Sequence, residues 1–213
     1  TRVPIRSGEG REVRFDERRN WELFWLVDPL DGTVEFIKGN NEFTVNIALM
    51  QNNRCICAII FVPYHHKIYI AEAGRGSWLI ENVIPDEASS YTFADIVSKA
   101  RRLPLAEAQH DNYRVAVSRS HQTAETHEHI ETLRTEHPDL EIVEQGSSYK
   151  FCLLAEGVVD YYIRTTQTSE WDTAAGELIL LEAGGVTVAY PSGEPLVYNK
   201  ESLYNPWFVA RRL

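Results

Sequence analysis

Asp28-Pro29-Leu30-Asp31-Gly32-Thr33 sets two carboxylates three residues apart on a tight turn. Carboxylate oxygens are the ligands a hard cation prefers, and Mg2+ commonly takes one or two of them together with a substrate phosphate. Pro29 lacks an N–H and stiffens the turn, and Gly32 permits close backbone approach. Free N–H groups at Gly32 and Thr33 can hold a phosphate oxygen, and Thr33 adds a hydroxyl. A third carboxylate, Asp172, follows Trp171 where a helix begins. Such a set suits a metal that handles phosphate. The same residues also have plainer readings: Asp172 as a helix N-cap, and Asp28 with Asp31 as an Asx-turn.

These side chains need elements to hold them. Trp21 to Val27 is an apolar run ending at Asp28, which predicts a buried strand leading into the turn. Glu42 to Met50, Cys55 to Val62, Lys67 to Ala73 and Ser77 to Ile80 continue as closely spaced strands, with Asn53-Arg54 and Pro63-Tyr64-His65-His66 as turns. Residues 1–22 read as loop plus a short helix, and 81–112 as polar with an amphipathic piece around Tyr91 to Arg101. Beyond that come strands over Tyr113 to Ser118, Leu140 to Glu144 and Val158 to Arg164, and helices over Gln122 to His137, Tyr149 to Glu156 and Asp172 to Ala183. Two short strands follow, around Val186 to Tyr190 and Trp207 to Ala210. We therefore divide the chain into an α+β lobe with an antiparallel sheet over 1–112 and an α/β lobe over 113–213.

The chain has 213 residues, 44% of them hydrophobic, and a net charge of −10 at pH 7. That composition supports a sizeable core and argues against a nucleic-acid polymer or an anionic membrane as partner. It leaves room for a small anionic ligand, because a multivalent cation inverts the charge of an acidic pocket. Cys55, Cys57 and Cys152 read as reduced, buried thiols of a cytoplasmic protein rather than a disulfide framework or a Cys-x-Cys metal site with His65 and His66. No transmembrane segment or signal peptide is visible. Thr1 in place of Met implies processing or a fragment.

Trp25-Leu-Val-Asp-Pro-Leu-Asp-Gly-Thr33, with Phe43-Thr-Val-Asn-Ile-Ala-Leu49, Trp171-Asp-Thr-Ala-Ala-Gly176 and Glu182-Ala-Gly-Gly185, resembles the inositol monophosphatase superfamily. Ser118-Arg-Ser-His121, Gly146-Ser-Ser-Tyr-Lys150, Tyr162-Ile-Arg164 and the closing Tyr198-to-Pro206 stretch are similar to its bacterial 3'(2'),5'-bisphosphate nucleotidases. The resemblance implies a layered α-β-α-β-α fold and two or more Mg2+ ions. Asp28, Asp31, Asp172 and the Leu30 carbonyl would be the metal ligands, and Thr33 would orient the attacking water. Gly32, Thr33, His121, Ser147, Ser148, Lys150, Arg164 and Asp172 would line the substrate side. The implied reaction is hydrolysis of the 3'-phosphate of adenosine 3',5'-bisphosphate to AMP and phosphate. The alternatives are an inositol or sugar phosphate phosphatase of the same superfamily, and a catalytically impaired homologue acting as a binding module. Oligomeric state is not legible.

Two departures stand out. The family's N-terminal helical segment has no counterpart here, which predicts an apolar sheet face left uncovered. The family's Glu-Glu pair matches Ser7-Gly8-Glu9-Gly10, so Gly8 stands where the first glutamate is expected and Glu9 is the remaining catalytic carboxylate. A positioned base is worth ~10²–10⁴-fold in rate, so its loss is consequential.

Overall fold

The computed structural model describes residues 3–10, 12–83, 92–108 and 110–213. Tyr91, assigned above to an amphipathic piece, lies outside them; the helix there, α3, covers Phe93–Ser98.

A large sheet forms first along the chain, in the order β1-β2-β3-β4-β5-β6-β7. Its members are β1 (Ile5–Ser7), β2 (Leu23–Asp31), β3 (Thr44–Gln51), β4 (Arg54–Val62), β5 (Lys67–Glu72), β6 (Gly76–Ile80) and β7 (Arg101–Arg102). β1 runs parallel to β2, and every other neighbouring pair is antiparallel. Asn52 and Asn53 both take positive φ, 49° and 62°, which is the geometry of the two-residue turn that matches strand twist between β3 and β4. Two short helices interrupt the early strands: α1 (Phe15–Arg18) and α2 (Thr33–Lys38).

The second sheet has the order β11-β12-β10-β8-β9. It comprises β8 (Arg114–Ser118), β9 (Glu141–Gln145), β10 (Tyr161–Arg164), β11 (Gly185–Ala189) and β12 (Phe208–Arg212). Parallel β8–β9 and β8–β10 pairs need crossovers, and the helices α4 (Ala124–Glu136) and α5 (Tyr149–Glu156) supply them. The final helix, α6 (Glu170–Glu182), precedes β11.

Helices α5 and α6 lie between the two sheets, and one hydrophobic cluster joins Phe24, Leu26, Met50 and Ile60 of the large sheet to Phe151, Leu178, Ile179 and Phe208. All eight residues of α5 are buried, as a helix packed on several sides requires. Gly176 lets α6 approach α5, since a Cβ there would fall 2.5 Å from the Phe151 ring. The outer face of the small sheet carries a second cluster, in which Val115, Val117, Ile163 and Val209 pack with Ile130 of α4. The architecture is thus α+β and layered.

Residues Trp25, Val27, Val45, Ile47, Leu49, Ile59 and Phe61 alternate with the inward-facing residues of β2, β3 and β4, and are only half-buried. The outward face of the large sheet is therefore apolar and partly open. No helix among the described residues is long and apolar enough to cross a membrane.

Candidate metal and phosphate site

Two carboxylates three residues apart on a regular strand point to opposite faces, because side chains alternate with a period of two. β2 avoids this. Asp28 pairs with Asn46 and Asp31 with Thr44, so three steps on β2 oppose two on β3. The extra residue of this bulge, at Pro29-Leu30, returns Asp31 to the same inward face as Asp28. Asp28 also accepts a hydrogen bond from the Leu30 N–H at 3.0 Å, which is the local Asx contact anticipated from sequence.

Asp172 arrives on α6. Its expected role as N-cap is corrected: Ser169 is the N-cap and Asp172 stands three residues in, closing a capping box in which its carboxylate accepts from the Ser169 N–H at 2.8 Å. Glu170, fully buried, ties the same helix start to the chain at 199–200, accepting from the N–H groups of Asn199 (2.8 Å) and Lys200 (3.0 Å) and from Lys200 Nζ (2.6 Å).

Ligand oxygens of Asp28, Asp31 and Asp172 lie within 4.8 Å of one another. Burial first, and then the neighbouring Asp31 charge, pushes the Asp28 carboxyl up to about 6. The same two causes raise Asp172. Withdrawing like charges from water and crowding them together disfavours ionisation, unless a cation joins them. Among the described residues no lysine or arginine is ion-paired with these three. The donor set is all oxygen, so the residues present fit a hard divalent cation.

The other expected residues fall as follows. Gly32, with φ of 88°, begins α2, and the Thr33 hydroxyl donates to the Leu30 carbonyl at 3.2 Å. One pocket is lined by Asp31, Gly32, Thr33, Ser147, Ser148, Asp172, His121, Lys150 and Arg164. Lys150 is 1% exposed, donates to the carbonyls of Gln145 (2.9 Å) and Ser147 (2.8 Å), and is lowered by burial to about 7. Arg164 keeps its Nε buried without a protein partner. His121 is exposed at the rim and is lowered by desolvation and by Arg164. Ser147 has a positive φ of 52° and its hydroxyl accepts from the Tyr149 N–H. Ser148 differs from expectation: its hydroxyl is engaged with Asp31 and with the Asp172 carbonyl rather than left free in the pocket.

Gly8 does lie beside the site, since its N–H donates to Val27 one residue before Asp28. Glu9 is exposed, and its charge reaches Asp28. A Cβ on Gly8 would sit 3.0 Å from Trp171 Nε1, so the indole occupies the direction a side chain there would take. The Cys-x-Cys reading finds no support: the three cysteines are free, and the Asp28-Asp31-Asp172 group is the one metal-compatible cluster among the described residues.

Three further residues matter that were given no role from sequence. Asn46 on β3 donates to Asp31, Glu42 accepts from the Gly146 N–H at 2.7 Å while pairing with Arg119, and Glu170 anchors α6 as described. The signal for Asn46 was present: an amide at an inward position of a mostly apolar strand.

The inositol monophosphatase family model matches residues 4–207. The 3'(2'),5'-bisphosphate nucleotidase CysQ of Escherichia coli (strain K12) is 40% identical over 210 residues, covering 97% of this chain and 74% of that protein. The CysQ of Haemophilus influenzae is 35% identical over 210 residues, with 97% and 71% covered. Among solved structures, CysQ from Bacteroides thetaiotaomicron superposes with a TM-score of 0.94 at 43% identity, covering 100% of this chain and 78% of that one. Inositol monophosphatase II of Staphylococcus aureus shares the fold at a TM-score of 0.72 and 19% identity, covering 99% and 70%. The chain belongs to the inositol monophosphatase family.

Proposed function

We propose that this chain is a Mg2+-dependent phosphomonoesterase that removes the 3'-phosphate of adenosine 3',5'-bisphosphate, giving AMP and phosphate. The observation that carries the reading is a pocket of two polarities. The pocket that Asp31 and Asp172 line beside Asp28 is also lined by Lys150, Arg164 and His121. A substrate with one phosphate to lose and one to keep suits a pocket that holds both kinds of group. CysQ relatives at 35–40% identity, described as 3'(2'),5'-bisphosphate nucleotidases, support the same substrate.

Asp28, Asp31, Asp172 and the Leu30 carbonyl hold the metal. When bound, it polarises the phosphoryl oxygens and makes a water more acidic. Thr33, fixed by its bond to Leu30, orients the attacking water, and Glu9 is the carboxylate left to support it. Arg164 and Lys150 neutralise the retained phosphate, while Ser147 and His121 contribute donors at its edge. The free thiols favour a cytoplasmic setting.

A second reading, a binding module with impaired catalysis, is favoured by Gly8, whose side-chain direction is filled by the Trp171 indole. Phosphate release from adenosine 3',5'-bisphosphate and from inositol 1-phosphate, with Mg2+, separates the possibilities. The expected result is faster release from the nucleotide, abolished by Asp31→Asn with circular dichroism unchanged. Equal or faster release from inositol 1-phosphate refutes the substrate assignment. Undiminished release by Asp31→Asn refutes the metal assignment, and no release from either compound leaves the binding module.

A further inference from the structure

We infer that Asn46 is a positioning residue for the metal site: with Ser148 it fixes the carboxylate of Asp31, an inference resting on the metal-dependent reading above. Asn46 is 1% exposed on β3, in register with Asp28. Its amide nitrogen carries two hydrogens and uses both, one toward Asp31 Oδ2 at 3.2 Å and one toward Ser148 Oγ at 3.0 Å. The Ser148 N–H donates to the same Oδ2 at 2.6 Å, its hydroxyl contacts it closely, and Thr44 Oγ1 stands 3.4 Å away. Every hydrogen bond the described residues give this carboxylate therefore converges on Oδ2. One oxygen is engaged by the protein, and the other is left to a cation.

The proton count gives Asn46 a second effect. The Ser148 hydroxyl has a single proton and two acceptors in reach, Asp31 Oδ2 and the Asp172 carbonyl at 2.7 Å. By donating to Ser148 Oγ, Asn46 occupies a lone pair of that oxygen and turns its proton toward the two aspartate residues. Asn46 thus ties β2, β3, α5 and α6 together at the carboxylates.

Stability alone does not explain an asparagine here. Ala48 and Met50, which follow it on the inward face of β3, are apolar and buried, only Thr44 before it is polar, and its own Oδ1 is buried without a partner. A half-satisfied buried amide is a poor core residue, whereas leucine keeps the same branching, though bulkier, and has no polar group to satisfy. Groups that orient a metal ligand typically change metal affinity by about 10–100-fold when removed. Function and stability should therefore separate at this position.

The test is Mn2+ binding by electron paramagnetic resonance of the free ion, with thermal unfolding of the metal-free protein alongside. Asn46→Leu should raise the Mn2+ dissociation constant by about 10–100-fold while the metal-free melting temperature stays unchanged or rises. Ser148→Ala should weaken binding in the same direction and carries the test if Asn46→Leu fails to fold. Wild-type affinity in either folded variant overturns the positioning role. A melting temperature that falls in step with affinity in both variants overturns it in favour of a merely structural one. Failure of the unsubstituted chain to bind Mn2+ sinks the metal reading itself, and this inference with it.

Discussion

Lys150 should take up a proton when a phosphate enters the pocket. Its ammonium lies in the interior, bonded to two backbone carbonyls and 5.0 Å from the centre of the Tyr162 ring. Burial first, and then the Arg164 charge, lowers it from 10.5 to about 7, against the opposing pull of Asp31, Glu35 and Glu42. With a midpoint near 7, the fraction neutral in the ligand-free protein is about 0.1 at pH 6, about 0.5 at pH 7 and about 0.9 at pH 8. A phosphate dianion beside it favours the charged form, so binding should draw in about those numbers of protons from this group. Calorimetric titration with AMP, in buffers of different ionisation enthalpy, measures that uptake. Lys150→Met supplies the baseline for the nucleotide's own phosphate. The AMP dissociation constant should rise roughly tenfold per pH unit above pH 7 in the unsubstituted protein and lose that slope in Lys150→Met. Equal uptake in the two proteins at pH 8 would refute the reasoning. The sign for stability follows from the same shift. Between the folded value near 7 and the unfolded value of 10.5 the unfolded chain binds more protons, so stability should rise with pH across that window.

Three other substitutions probe the frame around the site. Glu170→Gln replaces a buried acceptor of three hydrogen bonds by a group that still accepts on one atom but aims an N–H₂ at a donor. A loss of about 3 kcal/mol, or roughly 6–12 °C in calorimetric melting temperature, is expected. A drop under 2 °C would contradict the assigned bonds. Gly176→Ala drives a methyl to within 2.5 Å of the Phe151 ring, and a loss of about 1–3 kcal/mol in urea unfolding, with the slope unchanged, should follow. Gly8→Glu must displace the Trp171 indole by a few tenths of an ångström, and it should then raise phosphate release by about 10²-fold or more. No gain would mean that position 8 is not where a carboxylate is missing.

Much of the frame was legible because burial imposes a period. The strands from β2 to β6 follow the apolar alternation, and Gly157 closes α5 with the left-handed conformation expected of a terminal glycine. What escaped was short or dictated from a distance. β1 is three residues held by pairing to β2, and α2 is six residues including Val34 and Ile37, both poor helix formers, launched by the Gly32 turn. Val158 and Val159 read as strand, but they lie in the loop after Gly157, where tertiary packing buries Val159 fully and Val158 in part. At the site, Asp28, Asp31 and Asp172 could be singled out by type and motif. The bulge that makes the first two converge could not, because it depends on the register with β3. Nor could the commitment of Ser148 to Asp31, since the two are 117 positions apart in the chain. The position of Asp172 within α6 was recoverable in part, from Ser169 three residues earlier.

The convergence of Asp28, Asp31, Asn46, Ser148 and Asp172 has a consequence for folding itself. No short segment of the chain contains the site; it exists only once both sheets and the helices between them have assembled. A divalent ion that binds there distinguishes the native state from every partly folded one. By mass action, an ion present at 100 times its dissociation constant stabilises the native state by about 2.7 kcal/mol. It also relieves the mutual repulsion of the carboxylates that the chain bears when folding without it. Metal supply should therefore govern how long the molecule survives as well as how fast it turns over, with chelation shortening its lifetime against protease.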